Sequence, residues 1–119
     1  MSTTTTNGYL VRRLQEAPTV PCPCGQSTRI LTRQDTAVCN LHVTFIKDSI
    51  KHYHKECTEV YYILDGQGKM ELNNDVIDVA PGTVVFIEPY TAHRLWSQDG
   101  VRTVVFGLPA VKAEDEYLV

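Results

Sequence analysis

Residues 52–66 of the chain read HYHKECTEVYYILDG. Because side chains alternate between the two faces of a strand, His52 and His54 are predicted to project from the same face, with Cα atoms about 6.6 Å apart. Glu59 follows, and the aromatic and β-branched residues directly after it predict a second strand. The stretch therefore predicts two strands that direct two imidazoles and a carboxylate toward one metal ion.

A third imidazole, that of His93, comes after the loop formed by residues 88–92. A second hairpin would bring it back beside the first three side chains. Three nitrogen ligands and one carboxylate oxygen suit iron, manganese, nickel, copper or zinc. The sequence thus predicts a site for a divalent transition metal at His52, His54, Glu59 and His93.

The rest of the chain predicts an all-β barrel or sandwich, because short apolar runs alternate with turn residues from Thr28 onward. We expect about eight or nine strands, which cover residues 9–11, 29–32, 38–46, 60–64, 69–72, 76–79, 84–87, 93–97 and 101–108. Prolines 18, 21 and 23 exclude a helix or a central strand between residues 17 and 26, which predicts a loop or a wrapped arm there. Residues 112–119 are expected to form a short helix or a frayed end.

The spacing of the first ligand set resembles the first motif of the cupin superfamily, G-x5-H-x-H, three or four residues, E, six residues, G. His52, His54, Glu59 and Gly66 agree with that motif, whereas Ile46 replaces its opening glycine. The resemblance covers residues 37–108 and implies a cupin-type jelly-roll β-barrel. Residues 1–36 then form an N-terminal arm and first strands, and residues 109–119 a C-terminal tail, within one domain.

The second cupin motif, G-x5-P-x-G-x2-H-x3-N, agrees at Gly82 and at His93, so the resemblance implies that His93 is the fourth metal ligand. Glu88 replaces the proline of this motif, Tyr90 its second glycine and Ser97 its asparagine. None of the replaced positions binds metal in the family. The departures therefore concern the shape of the loop more than the ligand set.

The composition of the chain argues against nucleic acids and membranes as partners. The net charge of −3 and the pI near 5.7 come without a basic stripe, which argues against nucleic acid. No apolar run approaches the roughly 20 residues of a membrane span, and the start of the chain lacks the apolar core of a secretory signal. We expect a cytoplasmic protein that does not bind membranes, acts on a small molecule and forms a homodimer through edge strands and the N-terminal arm. The four cysteines are expected to be free thiols, because nothing marks the chain as a secreted disulfide scaffold. Cys22 and Cys24 form a C-x-C pair, but the second pair of a usual zinc site is missing.

Three side chains outside the ligand set are candidate catalytic residues: Tyr61, His42 and Glu88. Tyr61 shares a strand face with Glu59, His42 lies on the polar face of its strand, and Glu88 lies in the loop before His93. Arg29 and Arg33 are candidates for binding an anionic substrate, although solvated surface arginines are the simpler interpretation.

A metal-dependent enzyme is the first function that the ligand set indicates. A redox-active metal would give a dioxygenase, and a Lewis-acidic metal an isomerase or lyase. A non-enzymatic binding or sensor protein, in which the metal anchors an effector, is the alternative from another class. A metal-free epimerase with a histidine base and a tyrosine acid is the third, and the complete ligand set argues against it.

Overall fold

The computed structural model of the protein describes residues 8–22 and 25–119. Within these residues the chain forms one 3₁₀ helix, Leu14–Glu16, and ten β-strands. The strands are β1 Thr19–Cys22, β2 Gly25–Leu31, β3 Asn40–Asp48, β4 His52–Tyr53, β5 Thr58–Asp65, β6 Gly68–Leu72, β7 Asp75–Val79, β8 Val84–Ile87, β9 His93–Leu108 and β10 Tyr117–Leu118. The all-β prediction is confirmed.

The long strand β9 organises the sheet, because its two halves pair with different neighbours. Its first half pairs with β6 and β4, and its second half lies between β3 and β5. All of these pairs are antiparallel, and β2 and β8 extend the sheet beyond β3 and β5. The sheet curls so that its inward face encloses the interior, as a jelly roll does.

The apolar core fills part of this interior. Its fully buried members include Ile46, Ile63, Met70, Leu95 and Val101. Removing these side chains from water is the main stabilising contribution to folding. A second group of buried side chains is polar, and it contains His54, Glu59 and His93.

Strand β3 turns its polar side inward. Asn40 and Thr44 are buried, whereas Phe45 is 41% exposed on the opposite face. The alternation was predicted correctly, but hydrophobicity alone would have placed the apolar face inside. Packing against neighbouring strands determines which face of β3 points inward. The side chains of Asn40, His42 and Thr44 on that face line an internal cavity.

Several local predictions were wrong. Residues 19–22, predicted as loop or arm, form strand β1, which among the described strands pairs with β2 alone. The prolines permit it because an edge strand can lack an N–H on its open side. Residues 9–11 form no strand, and the tail ends in β10, paired with β4, rather than in a helix or a frayed end.

Two further corrections concern β9 and the cysteines. The predicted strands 93–97 and 101–108 are one continuous strand that bends at Gly100, whose φ is +94°. Cys22 is disulfide-bonded, so the expectation of free thiols is wrong there, whereas Cys39 and Cys57 are free. Cys24 lies outside the described residues.

None of the helical structure in residues 8–22 and 25–119 is long and apolar enough to cross a membrane.

Candidate metal centre

The structure brings the four predicted ligands together inside the curled sheet. His52 lies on β4, Glu59 on β5 and His93 at the first position of β9, and His52 pairs directly with His93. The nearest ring pair is His52 and His93, whose centroids are 4.4 Å apart. One potential ligand atom from each of the four residues lies within 4.8 Å of every other.

Each imidazole is oriented by a main-chain carbonyl. Nδ1 of His52 lies 2.7 Å from the oxygen of Ile50, and Nδ1 of His93 lies 3.0 Å from that of Thr91. A carbonyl oxygen can only accept a hydrogen bond, so Nδ1 carries the proton. This tautomer leaves the lone pair on Nε2, which is the arrangement that metal-binding histidines use.

The atoms that converge at the centre lack conventional partners. Nε2 of His54 and Nε2 of His93 each lie 3.2 Å from Oε1 of Glu59. Apart from these contacts with one another, none of the three buried atoms has a hydrogen-bond partner among the described residues. Buried polar groups are nearly always satisfied, and a cation among the three atoms would satisfy all of them. The donor set therefore fits a divalent transition metal.

The charges of the centre are coupled. Burial alone would raise the pKa of Glu59, but the two nearby histidines outweigh it and hold that pKa well below its usual range. Burial alone would lower the pKa of His54, yet the adjacent Glu59 raises it to about 9. The pKa of His52 is lowered, chiefly by burial and then by the charge of His93. The metal-free centre thus holds an anionic carboxylate beside a protonated His54.

The loop between His54 and Glu59 is held by the C-terminal tail. The carboxylate of Asp115, itself buried, accepts hydrogen bonds from the N–H groups of Lys55, Glu56 and Cys57 at 2.7, 3.1 and 3.1 Å. These bonds lower the pKa of Asp115 against the opposing effect of burial. The sequence analysis missed this residue, since nothing local marks one acidic residue of the tail as different from its neighbours.

The loop before His93 is also fixed in an unusual conformation. Tyr90, which replaces a glycine of the cupin motif, has a φ of +69°. Its N–H donates to the carbonyl oxygen of His54 at 2.7 Å, and its ring stacks on that of Tyr53. These contacts hold a side chain in a region that normally favours glycine.

A cavity of about 680 Å³ adjoins the centre, and His52 forms part of its wall. Two of the three candidate catalytic residues line it. Tyr61 is buried, and its ring centroid lies 6.1 Å from that of His93. His42 is half-buried, and burial together with the charge of Arg29 lowers its pKa to about 4. Burial also raises the pKa of Tyr61, so near neutral pH the cavity wall carries a neutral imidazole and a protonated phenol.

The remaining candidates lie at the margin. Glu88 is exposed and is not among the residues that line the cavity. Arg29 and Arg33 are both exposed to solvent, and both line the cavity. Asn40, which the sequence analysis did not single out, is buried in the cavity wall.

Comparison with known proteins places this geometry in context. The model of the family described as "Cupin domain" matches residues 42–107. Glucose-6-phosphate isomerase of Thermococcus gammatolerans is 36% identical over 73 residues, which are 56% of this chain and 39% of the isomerase. The chain thus spans well under half the length of that relative.

Solved structures agree with the fold. A protein from Planctomyces limnophilus superimposes with a TM-score of 0.85 and 26% identity, over 92% of this chain and 96% of the other. Pac13, a nucleoside dehydratase from Streptomyces, superimposes with a TM-score of 0.79 and 18% identity, over 93% and 91% of the two chains.

Proposed function

Because the chain belongs to the cupin domain family, as its motifs predicted, we propose that it is a metal-dependent isomerase or lyase acting on a small organic molecule in the barrel cavity. One observation carries the proposal. Buried, unsatisfied ligand atoms of His54, Glu59 and His93 lie behind His52, which lines a cavity whose wall also carries an acid and a base.

His52, His54, Glu59 and His93 would hold the metal. A divalent transition metal bound there would act as a Lewis acid on a carbonyl or hydroxyl oxygen of the substrate. The protein's own contribution is to anchor Nδ1 of each imidazole, which leaves Nε2 free to bind the ion and holds Nε2 of His54 and His93 against Glu59. The four side chains are therefore arranged for binding before any ion arrives.

His42 and Tyr61 are the proposed acid–base pair. Both pair with Val105 across the sheet, one from each side, so their Cα atoms are about two strand spacings, or 10 Å, apart. A small molecule lying over Val105 would have a neutral imidazole on one side and a phenol on the other. His42 would take a proton from a C–H group of the substrate, and Tyr61 would donate one to an oxygen.

This pair favours an isomerase or lyase over the dioxygenase that the ligand set also permits. Movement of a proton along a carbon chain needs a positioned base and a positioned acid, and the two side chains supply both. The resemblance to glucose-6-phosphate isomerase supports the same class of reaction. A binding or sensor protein remains the alternative, and it differs by the absence of turnover.

Hydrogen exchange into substrate tests the proposal. Protein reconstituted in turn with iron, manganese, nickel, copper and zinc would be incubated in D₂O with hydroxy acids, diketones and sugar phosphates. NMR should detect deuterium in one substrate class, and His42→Gln and Tyr61→Phe should each lower the exchange rate about 100-fold or more while metal content is kept. Oxygen uptake without deuterium incorporation would identify a dioxygenase instead. Saturable binding without either would identify the sensor.

We also propose a homodimer, formed through the outer face of the sheet. Apolar side chains project outward from four neighbouring strands, β3, β9, β5 and β8, in two cross-strand rows. The rows are Leu41, Phe106, Val60, Phe86 and Val43, Val104, Tyr62, Val84. Phe86 and Val84 are 65% and 63% exposed in the single chain. A second copy related by a two-fold axis would present the same rows, as sheets that pack face to face do.

The cytoplasmic location and the absence of nucleic acid among the partners, both expected from the sequence, stay predictions.

A further inference from the structure

We infer that the wall of the cavity opposite Tyr61 binds an oxyanion of the substrate, a carboxylate or a phosphate, through Arg29 and Asn40. The inference rests on the proposed function, since it names the class of molecule on which the metal centre would act. It depends on unpaired donors, on the position of those donors across the sheet and on the charge of the cavity.

Asn40 supplies the first unpaired donor. Its side chain is 1% exposed, and its Oδ1 accepts a hydrogen bond from the N–H of Val111 at 2.7 Å. That bond fixes the amide orientation, because only the oxygen can accept. Nδ2 is buried and finds no acceptor among the described residues. Buried donors are nearly always satisfied, and Asn40 belongs to the cavity wall, so a ligand oxygen is a natural acceptor.

Arg29 supplies the second. It pairs with His42 across β2 and β3 and lines the same cavity. The other two cations of the lining are occupied: Arg33 donates to the carbonyl oxygen of Ala110, and Lys112 to the carboxylate of Glu56. No oxygen within residues 8–22 and 25–119 accepts a hydrogen bond from the guanidinium of Arg29. A free guanidinium at a cavity matches the bidentate geometry of a carboxylate or a phosphate.

The sheet places these donors at a useful distance from the metal ligands. Asn40 pairs with Gly107, which pairs with Glu59, so Asn40 and Glu59 are two strand spacings, or about 10 Å, apart. Gly107 contributes to this arrangement, because a Cβ there would collide with Oδ1 of Asn40. In the next row, Arg29 and Tyr61 are three spacings, or about 14 Å, apart.

The charge of the cavity agrees with an anionic ligand. Arg29, Arg33 and Lys112 line it, and Glu116 is the acidic residue of its described lining. The negative charge of Glu116 interacts with His52, which lies at the metal side of the cavity. A substrate with an oxyanion at one end and a hydroxyl or carbonyl oxygen toward the centre would therefore meet complementary groups at both ends.

Anion binding tests the inference separately from turnover. Titration calorimetry would compare inorganic phosphate with malonate, in metal-loaded protein and in protein treated with chelator. Arg29→Gln should weaken binding of the preferred anion about tenfold or more. Asn40→Asp should do the same, because it keeps the acceptor for Val111 and replaces the free donor with an oxygen. Lys47→Gln removes an exposed positive charge elsewhere on β3 and should leave the affinity unchanged.

The outcomes distinguish the two proposals. Anion binding that survives chelation but falls in both variants supports the oxyanion site, even if no isomerase or lyase activity is found. Binding that vanishes with chelator but persists in Arg29→Gln and Asn40→Asp places the anion on the metal and overturns the inference. Turnover of a neutral substrate that is unaffected by Arg29→Gln would overturn it as well, while leaving the proposed function intact. A preference for phosphate or for malonate identifies which oxyanion the site accepts.

Discussion

The main-chain oxygen of Asp115 accepts a hydrogen bond from Nδ1 of His54 at 2.5 Å, although the two residues are 61 positions apart. The carboxylate of Asp115 meanwhile binds three consecutive N–H groups just after His54. One residue of the tail thus orients a candidate ligand and also holds the loop that leads to Glu59. This relationship makes the tail part of the metal centre.

Asp115→Ala is therefore expected to weaken metal binding about 10-fold to 100-fold, the range typical of groups that orient ligands. It also leaves three N–H groups without their acceptor, which should lower the free energy of unfolding by about 1–3 kcal/mol. Metal titration and thermal unfolding measure the two effects. Glu114→Ala, an exposed acidic residue of the same tail, is the matched control and should change neither. Equal behaviour of the two variants would contradict the role assigned to Asp115.

Metal content tests the ligand set directly. Protein purified without chelator should contain about one transition-metal ion per chain, and the double variant His52→Ala with His54→Ala should lose it, because two of four ligands are gone. His42→Ala removes the one histidine outside the cluster and should keep the metal. Elemental analysis provides the measurement. Unchanged metal in the double variant would disprove the assignment.

The pH dependence of stability should differ between metal-free and metal-loaded protein. The pKa of His54 rises from 6.5 to about 9 in the folded metal-free protein, because the effect of Glu59 outweighs burial. A group whose pKa is raised on folding stabilises the protein fully at pH values below its pKa in the unfolded chain. This stabilisation is lost as the pH rises through its pKa in the folded protein. Metal-free protein should therefore lose stability between about pH 6.5 and pH 9.

Thermal unfolding across that pH range, with and without chelator, would show the effect. Metal-loaded protein should lack this loss, since an ion replaces the proton on His54. Glu59→Gln is the control, because it removes the largest of the effects that raise the pKa of His54 and should therefore reduce the loss. A melting temperature of metal-free protein that stays constant through this range would contradict the prediction.

Two motif glycines should respond differently to alanine. Gly66 and Gly82 have similar positive φ values, +88° and +91°, so each Ala variant is expected to cost about 1 kcal/mol in backbone strain. At Gly82 an added Cβ meets nothing within 4 Å, whereas at Gly66 it collides with the carbonyl oxygen of Gly100. Gly66→Ala should therefore cost about 1–3 kcal/mol more than Gly82→Ala. Chemical denaturation measures the difference, and equal losses would show that the backbone near Gly100 yields freely.

The proposed dimer is tested by a charge on the outer face. Phe86→Glu should convert a dimer to a monomer in sedimentation at micromolar concentration, because it buries a carboxylate in an apolar interface. Val76→Glu replaces an exposed apolar residue on β7, away from the two rows, and should leave the mass unchanged. A wild-type monomer at that concentration would rule out the dimer.

Much of the fold was predictable because it depends on local periodicity. A strand has a repeat of two, so the positions of His52, His54 and Glu59 already indicated their faces. Turn residues separated β5 from β6 and β6 from β7 for the same local reason, but of these only β6 and β7 pair as a hairpin, since β5 pairs with β8 and β9. The prolines led to the wrong prediction at β1, because a proline disrupts a strand that is paired on both sides but is tolerated in an edge strand such as β1.

The alternation of apolar runs with turn residues therefore determined the all-β class, and the spacing of the motifs identified the four candidate ligands. Only the tertiary structure turned the polar face of β3 inward, placed His42 and Tyr61 on either side of Val105, and brought Asp115 to His54. The physical reason is that alternation along a strand is a property of neighbouring residues. Which face is buried, and which distant side chain completes a site, depends on contacts between strands far apart in the chain.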